Sequence, residues 1–109
     1  MKITKSMYYK ETIESRELFL YAYNNESIYR REIVPRVKAI SKHYSKGNFD
    51  KDKAIQSFYR IVTNAAKSYW YEFGGCYSWK QIFSVTDRWT AATDLLGYFM
   101  EDIRDGYLL

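Results

Sequence analysis

The strongest constraint on this chain lies between Asp50 and Gly74, in the stretch DKDKAIQSFYRIVTNAAKSYWYEFG. Ile55, Phe58, Val62, Ala65, Ala66, Tyr69 and Phe73 recur mostly every three or four residues, so an α-helix over about 51–73 gathers them into one apolar stripe. Both ends carry stop signals. Asp50 can accept from the free N–H groups of a first turn, and Gly74-Gly75 offers residues that turn left-handed at no steric cost. At the usual rise per residue such a helix is about 35 Å long, enough to cross a domain of this size. It reads as the central helix, and its stripe requires other elements to cover it.

The neighbouring sequence supplies helical partners. Thr12 is an N-cap for a first helix over about 12–23, with Glu14 and Glu17 near the positive end of its dipole. Ile13, Leu18, Phe19, Leu20, Tyr21 and Tyr23 make that helix apolar nearly all round, which predicts burial on more than one side, and Asn24-Asn25 ends it. A second helix over about 27–46 turns Ile33, Val37, Ile40 and Tyr44 inward and stops at Gly47-Asn48. Pro35 removes one backbone hydrogen bond from it and predicts a kink or a restart near Val34. After the connector GGCYSWKQIF, with a short helical turn near 79–83, Ser84 opens a last helix over about 85–105. Ser84-x-x-Asp87 resembles a capping box with Asp in the place usually held by Glu or Gln. Val85, Trp89, Ala92, Leu96, Phe99 and Ile103 form its stripe, Asp94, Glu101 and Asp105 make its other side acidic, and Gly106 stops it. With no alternating strand pattern, the expectation is an all-α fold, a compact bundle of four main helices in one domain over 1–109, with 1–10 as an extended N-terminal arm.

A chain of 109 residues can bury a core without metal or disulfides. Its single cysteine, Cys76, cannot form an internal disulfide, and there is neither a leader pattern nor an apolar run near the length of a membrane span. The reading is therefore a protein of a reducing cytoplasm that does not enter a membrane. Twelve tyrosines against six phenylalanines make the aromatic excess amphipathic, suited to boundaries and interfaces. The net charge of +4 is unevenly spread: residues 1–29 are neutral, 30–67 carry +7 and 68–109 carry −3. A middle third this basic points to an anionic partner, either nucleic acid or an acidic protein surface.

Catalysis finds no constellation. His43, the one histidine, stands near a helix C-terminus without a second histidine or a carboxylate pair to relay a proton. One histidine and one cysteine cannot fill a structural zinc site. Cys76 has no basic neighbour to stabilise a thiolate, and the glutamates of the first helix are more simply partners of its dipole. Gly74-Gly75 follows a helix instead of opening one, so it is no phosphate loop. The chain thus reads as a non-enzyme with no cofactor and no metal. What remains is a pair of basic helix faces interleaved with tyrosines. Arg30, Arg31, Lys38 and Lys42 on the second helix and Lys53, Arg60 and Lys67 on the central one supply cations, and Tyr59 and Tyr71 supply aromatic anchors of the kind that dominate interfaces.

TIESRELFLYAYNN, KGNFDKDKAIQSFYRIVTNAAKSYWYEFG and IFSVTDRWTAATDLLGYFMEDIRDG, in that order from Thr12 to Gly106, resemble a family of small uncharacterised proteins encoded by bacteriophages and other mobile elements. These proteins share a similar order of an acidic-aromatic first helix, a Gly-x-(Phe/Tyr)-Asp turn before a long helix, and a last helix ending in acidic residues and glycine. The shared motifs are structural, so they carry no functional residue across. The resemblance implies a setting, the cytoplasm of a bacterial host, and a role as an accessory protein acting on a host or phage macromolecule. The resulting expectation is a non-enzymatic binding protein that occupies the acidic surface of a host or phage protein, as an inhibitor of a defence or regulatory protein. Its alternative is a sequence-independent nucleic-acid-associated protein using the same basic faces.

Overall fold

The computed structural model describes residues 11–74 and 78–106, and the 1–10 arm and Cys76 lie outside them. Within those residues the chain is all-α and builds a bundle: α1 (Ile13–Asn24), α2 (Glu26–Ile28), a π-helical turn (Tyr29–Ile33), α3 (Val34–Ser45), α4 (Lys51–Phe73), α5 (Trp79–Ile82) and α6 (Val85–Asp105). The expected second helix is thus a composite of α2, the π turn and α3.

The helix starts follow the sequence signals closely. Thr12 and Ser15 exchange bonds at the head of α1, with each backbone N–H 2.9 Å from the other's side-chain oxygen. Ser84 and Asp87 do the same at the head of α6, both at 3.0 Å, so Asp serves in the capping box despite its shorter side chain. Asp50 accepts from the Lys53 N–H at 3.1 Å at the head of α4. Asn25 closes α1 through its N–H to the Tyr21 carbonyl and opens α2 by accepting from the Ile28 N–H at 3.0 Å.

Proline sets the irregularity in the second helix. Pro35 has no N–H to return to the preceding turn, and the chain accommodates this just upstream, where the Val34 N–H reaches the Tyr29 carbonyl five residues back. Backbone angles at Ile33 and Val34 stay in the right-handed helical region, so the restart near Val34 is a widened turn. Of the pair Gly74-Gly75 expected to turn left-handed at the end of α4, Gly74 does not, having φ −11°, and Gly75 lies outside the described residues. At Gly74 the need for glycine is steric, because a Cβ there would stand 2.8 Å from the Trp70 carbonyl oxygen.

The helix that organises the bundle is α6, and this corrects the assignment of the centre to α4. α6 packs against α1, α3 and α4, whereas α3 and α4 meet only sparingly. Nine of its 21 residues are buried, among them the small Thr90, Ala91, Ala92 and Thr93 that let neighbours approach on several sides. A longer apolar stripe made α4 look central; small and polar residues that become buried made α6 central. The core joins Leu18 and Ala22, Ile33, Val37 and Ile40, the α4 stripe of Ile55, Phe58, Ile61 and Val62, and Leu95, Leu96, Phe99 and Ile103. Phe58, Val62, Leu96 and Phe99 are buried as their spacing predicts. Trp89 is half-buried, and Phe73 is 60% exposed. α1 is more one-sided than its composition suggests, since Ile13 is 83% exposed.

Candidate functional site

Because α3 and α4 diverge, a cleft of about 570 Å³ opens between them above the loop that joins them. Arg36, Ile40 and His43 line one wall, at a four-three spacing that puts them on one side of α3. Lys53, Ala54 and Ser57 line the other, and residues 47–50 of the loop close the end. Arg36, His43 and Lys53 are exposed, and none forms an ion pair among the described residues. Farther along, Asn64 donates to Glu32 at 3.2 Å and ties α4 to the π turn. The cleft therefore presents two cations, an imidazole, the hydroxyl of Ser57 and the carboxylate of Asp50, which accepts from the Lys53 N–H.

The residues expected from sequence fall into three groups around this cleft. Lys53 lines it directly. Arg31, Lys38 and Lys42 are exposed and spaced by seven and four, which places them on the solvent side of the composite helix, opposite buried Ile33, Val37 and Ile40. Arg30 is exposed as well but pairs with Glu26 at 2.9 Å one turn earlier. Arg60 and Lys67 are exposed on α4 in register with Lys53, seven residues apart. Tyr71 is 88% exposed near the end of the same side.

Tyr59 departs from the expectation of a free aromatic anchor. Its ring is half-buried and stacks on Trp89 at 4.1 Å between centroids, so it packs α4 against α6. Beside it lies Arg88, 6% exposed, whose guanidinium carbon stands 5.2 Å from the Tyr59 ring and 5.0 Å from the Trp79 ring. Arg88 also donates to the Ser84 carbonyl at 3.3 Å and to the Thr63 hydroxyl at 3.4 Å. Two π faces and two acceptors thus solvate a buried cation that has no carboxylate partner among the described residues. Lys67 and Lys80 approach Trp79 from outside, at 5.3 and 5.5 Å. Lys67 is therefore tethered to this cluster at its stem end of α4.

Other tyrosines finish seams between helices. Tyr21 donates to Glu72 at 2.8 Å and Tyr69 donates to Glu17, joining α1 to the end of α4. The Tyr21 phenol is raised above its ordinary pKa by burial and then by the Glu72 carboxylate, and the Tyr69 phenol is raised chiefly by its bond to Glu17. Tyr23 and Tyr98 share a hydroxyl bond at 2.8 Å, which together with burial pushes the Tyr23 phenol up to about 12. A neutral phenol is the form each of these bonds requires as donor.

Sequence reasoning missed two of the three side chains that define the cleft. Arg36 was one of many cations on the second helix, and His43 was unremarkable beside a helix C-terminus. The available signal was their common face with Ile40. On metals and membranes, no group of three or more His, Cys, Asp or Glu side chains assembles among the described residues, and no helix there is long and apolar enough to cross a membrane. Comparison of the chain with family models, with curated proteins and with solved structures gives no match.

Proposed function

We propose that this is a non-enzymatic binding module of phage origin that occupies an acidic surface of a host or phage protein through the basic outer sides of the composite α2–α3 helix and α4. In this reading it inhibits a defence or regulatory protein of the bacterial host and works in the host cytoplasm. The observation that carries the reading is the α3–α4 cleft, where Arg36, His43 and Lys53 face one space with Asp50 as the one carboxylate lining it, occupied in capping the Lys53 N–H, and none of the three in an ion pair among the described residues. Carboxylates of a partner would complete that arrangement, with Arg36 offering a two-pronged donor and Lys53 a point charge. Arg31 and Lys38 on the solvent side of the composite helix and Arg60 two turns beyond Lys53 on α4 steer the encounter and select against basic partners, while exposed Tyr71 supplies contact area that excludes water.

A second reading, sequence-independent binding of nucleic acid, draws on the same cations and on one further feature, the 88% exposed ring of Tyr71 one turn beyond Lys67. An exposed aromatic ring beside a cation is a platform on which a base can stack. The two readings separate in a pulldown from bacterial host lysate with and without nuclease, run with the natural protein and with the Arg36→Ser, Lys53→Ser double variant. The first expects a stoichiometric protein partner that survives nuclease and is lost with the double variant. Partner loss on nuclease treatment selects the second, and undiminished capture by the double variant contradicts both.

A further inference from the structure

A second cleft lies away from the basic faces, between α1, the start of α4 and α6, with a volume of about 540 Å³. Phe19, Phe49, Leu96 and Met100 give it apolar walls, Gly97 opens its floor, and Asp94 stands at its edge. We propose that this cleft binds a small hydrophobic amine, with the apolar body against the aromatic walls over Gly97 and the ammonium on the Asp94 carboxylate. The volume falls within the range that small-molecule sites occupy.

Two independent features carry the assignment. Gly97 lies in the interior of α6 and is exposed, and a Cβ added there meets nothing within 4 Å. Neither packing nor a left-handed backbone demands glycine, and alanine would favour the helix, so the residue leaves open backbone at the floor of the cleft at a cost in helix stability. The second feature is Asp94, one turn earlier and half-buried, which has no hydrogen bond or ion pair among the described residues. Burial foremost and then the charge of Glu11 push its carboxyl up to about 6, against the opposing pull of Arg16. A carboxylate at the lip of an apolar cleft, poorly solvated and without a donor among the described residues, selects a ligand that brings a cation and an apolar body together. Lys51, which also lines the cleft, already has a partner of its own.

The charges facing Asp94 are Glu11 and Arg16 near the start of α1 and Lys51 on α4, with the phenol of Tyr98 beside them on α6. Affinity for an amine should accordingly fall as pH drops from about 7.5 to about 5, following Asp94. The test is an amide-resolved NMR titration of the full chain with 2-(1-naphthyl)ethylammonium and, as the oppositely charged match, 3-(1-naphthyl)propanoate. The amine should shift amides over 93–100, bind about tenfold tighter than the carboxylate, and lose that preference with Asp94→Asn along with its pH dependence. Gly97→Leu should abolish binding, while Gly97→Ala raises Tm by about 4 °C and marks the glycine as unneeded for folding. Equal affinity for the two probes, shifts centred elsewhere, no saturation at millimolar amine, or unchanged binding by a folded Gly97→Leu protein would each overturn the assignment.

Discussion

Where α1 meets α6, the two helix caps are locked to each other: Thr12 donates its hydroxyl to Asp87 at 2.7 Å, and Asp87 at the same time accepts from the Ser84 N–H. On the far side of α6, buried Ser41 of α3 donates to the Ile103 carbonyl at 2.7 Å. These two contacts of α6 are closed, with their polar groups satisfied. The face between α3 and α4 is the reverse, a cleft with Arg36, His43 and Lys53 on its walls and, farther along, the bond from Asn64 to Glu32. Burial with satisfied polar groups is what stabilises a fold, whereas unpaired cations in an open cleft contribute little to it. The contrast therefore separates residues that hold the bundle from residues free to serve a partner.

The separation can be broken most forcefully at the core. Phe58→Ala, at a fully buried position between α4 and α6, should cost about 3–5 kcal/mol, comparable to the whole stability of an ordinary domain. Urea unfolding followed by far-ultraviolet circular dichroism measures it, and a loss below about 1 kcal/mol would show that α4 is not packed as described. A smaller effect is expected at Arg88, whose guanidinium fills the space between Tyr59 and Trp79. Arg88→Ala should cost about 2–3 kcal/mol through lost packing and cation–π contact, and should disturb the fluorescence of Trp79 and Trp89.

These two sites also show what was legible in the chain. Apolar spacing was enough to place α4 and α6 and to bury Phe58, Val62, Leu96 and Phe99, since a period near 3.6 leaves few other ways to cover such stripes. Caps were legible too, because Thr12, Asp50 and Ser84 act on residues only three positions away. Long-range pairings were not. Nothing local announces that Tyr59 stacks on Trp89, that Arg88 is buried between two rings, or that Asp87 accepts from Thr12 across 75 positions of sequence. The centrality of α6 was hidden for the same reason, because Thr90, Ala91 and Thr93 become core only once three helices surround them. His43 and Arg36 joined the cleft only when the divergence of α3 from α4 was known.

The interlocked caps provide a finer test of the closed seam. Thr12→Ala removes the acceptor for the Ser15 N–H and the donor to Asp87 together, and should cost about 1–2 kcal/mol. Thr12→Ser keeps both groups and should recover most of that loss. If alanine and serine behave alike in thermal unfolding, the cap contact between α1 and α6 does not support the bundle.

The smallest effect on stability belongs to the cleft, and there the largest effect on binding is expected. Arg36→Ser with Lys53→Ser should leave unfolding free energy within about 0.5 kcal/mol of the natural protein, as for surface positions generally. The direct measurement is an amide-resolved NMR titration of both proteins with poly-L-glutamate as a probe acidic surface. Salt-sensitive shifts are expected in the natural protein centred on Arg36, His43, Lys53 and Ser57, and their loss in the double variant while the rest of the spectrum is unchanged. Shifts of equal size in the double variant, or shifts centred on the α1–α4 seam around Tyr21 and Tyr69, would contradict that expectation.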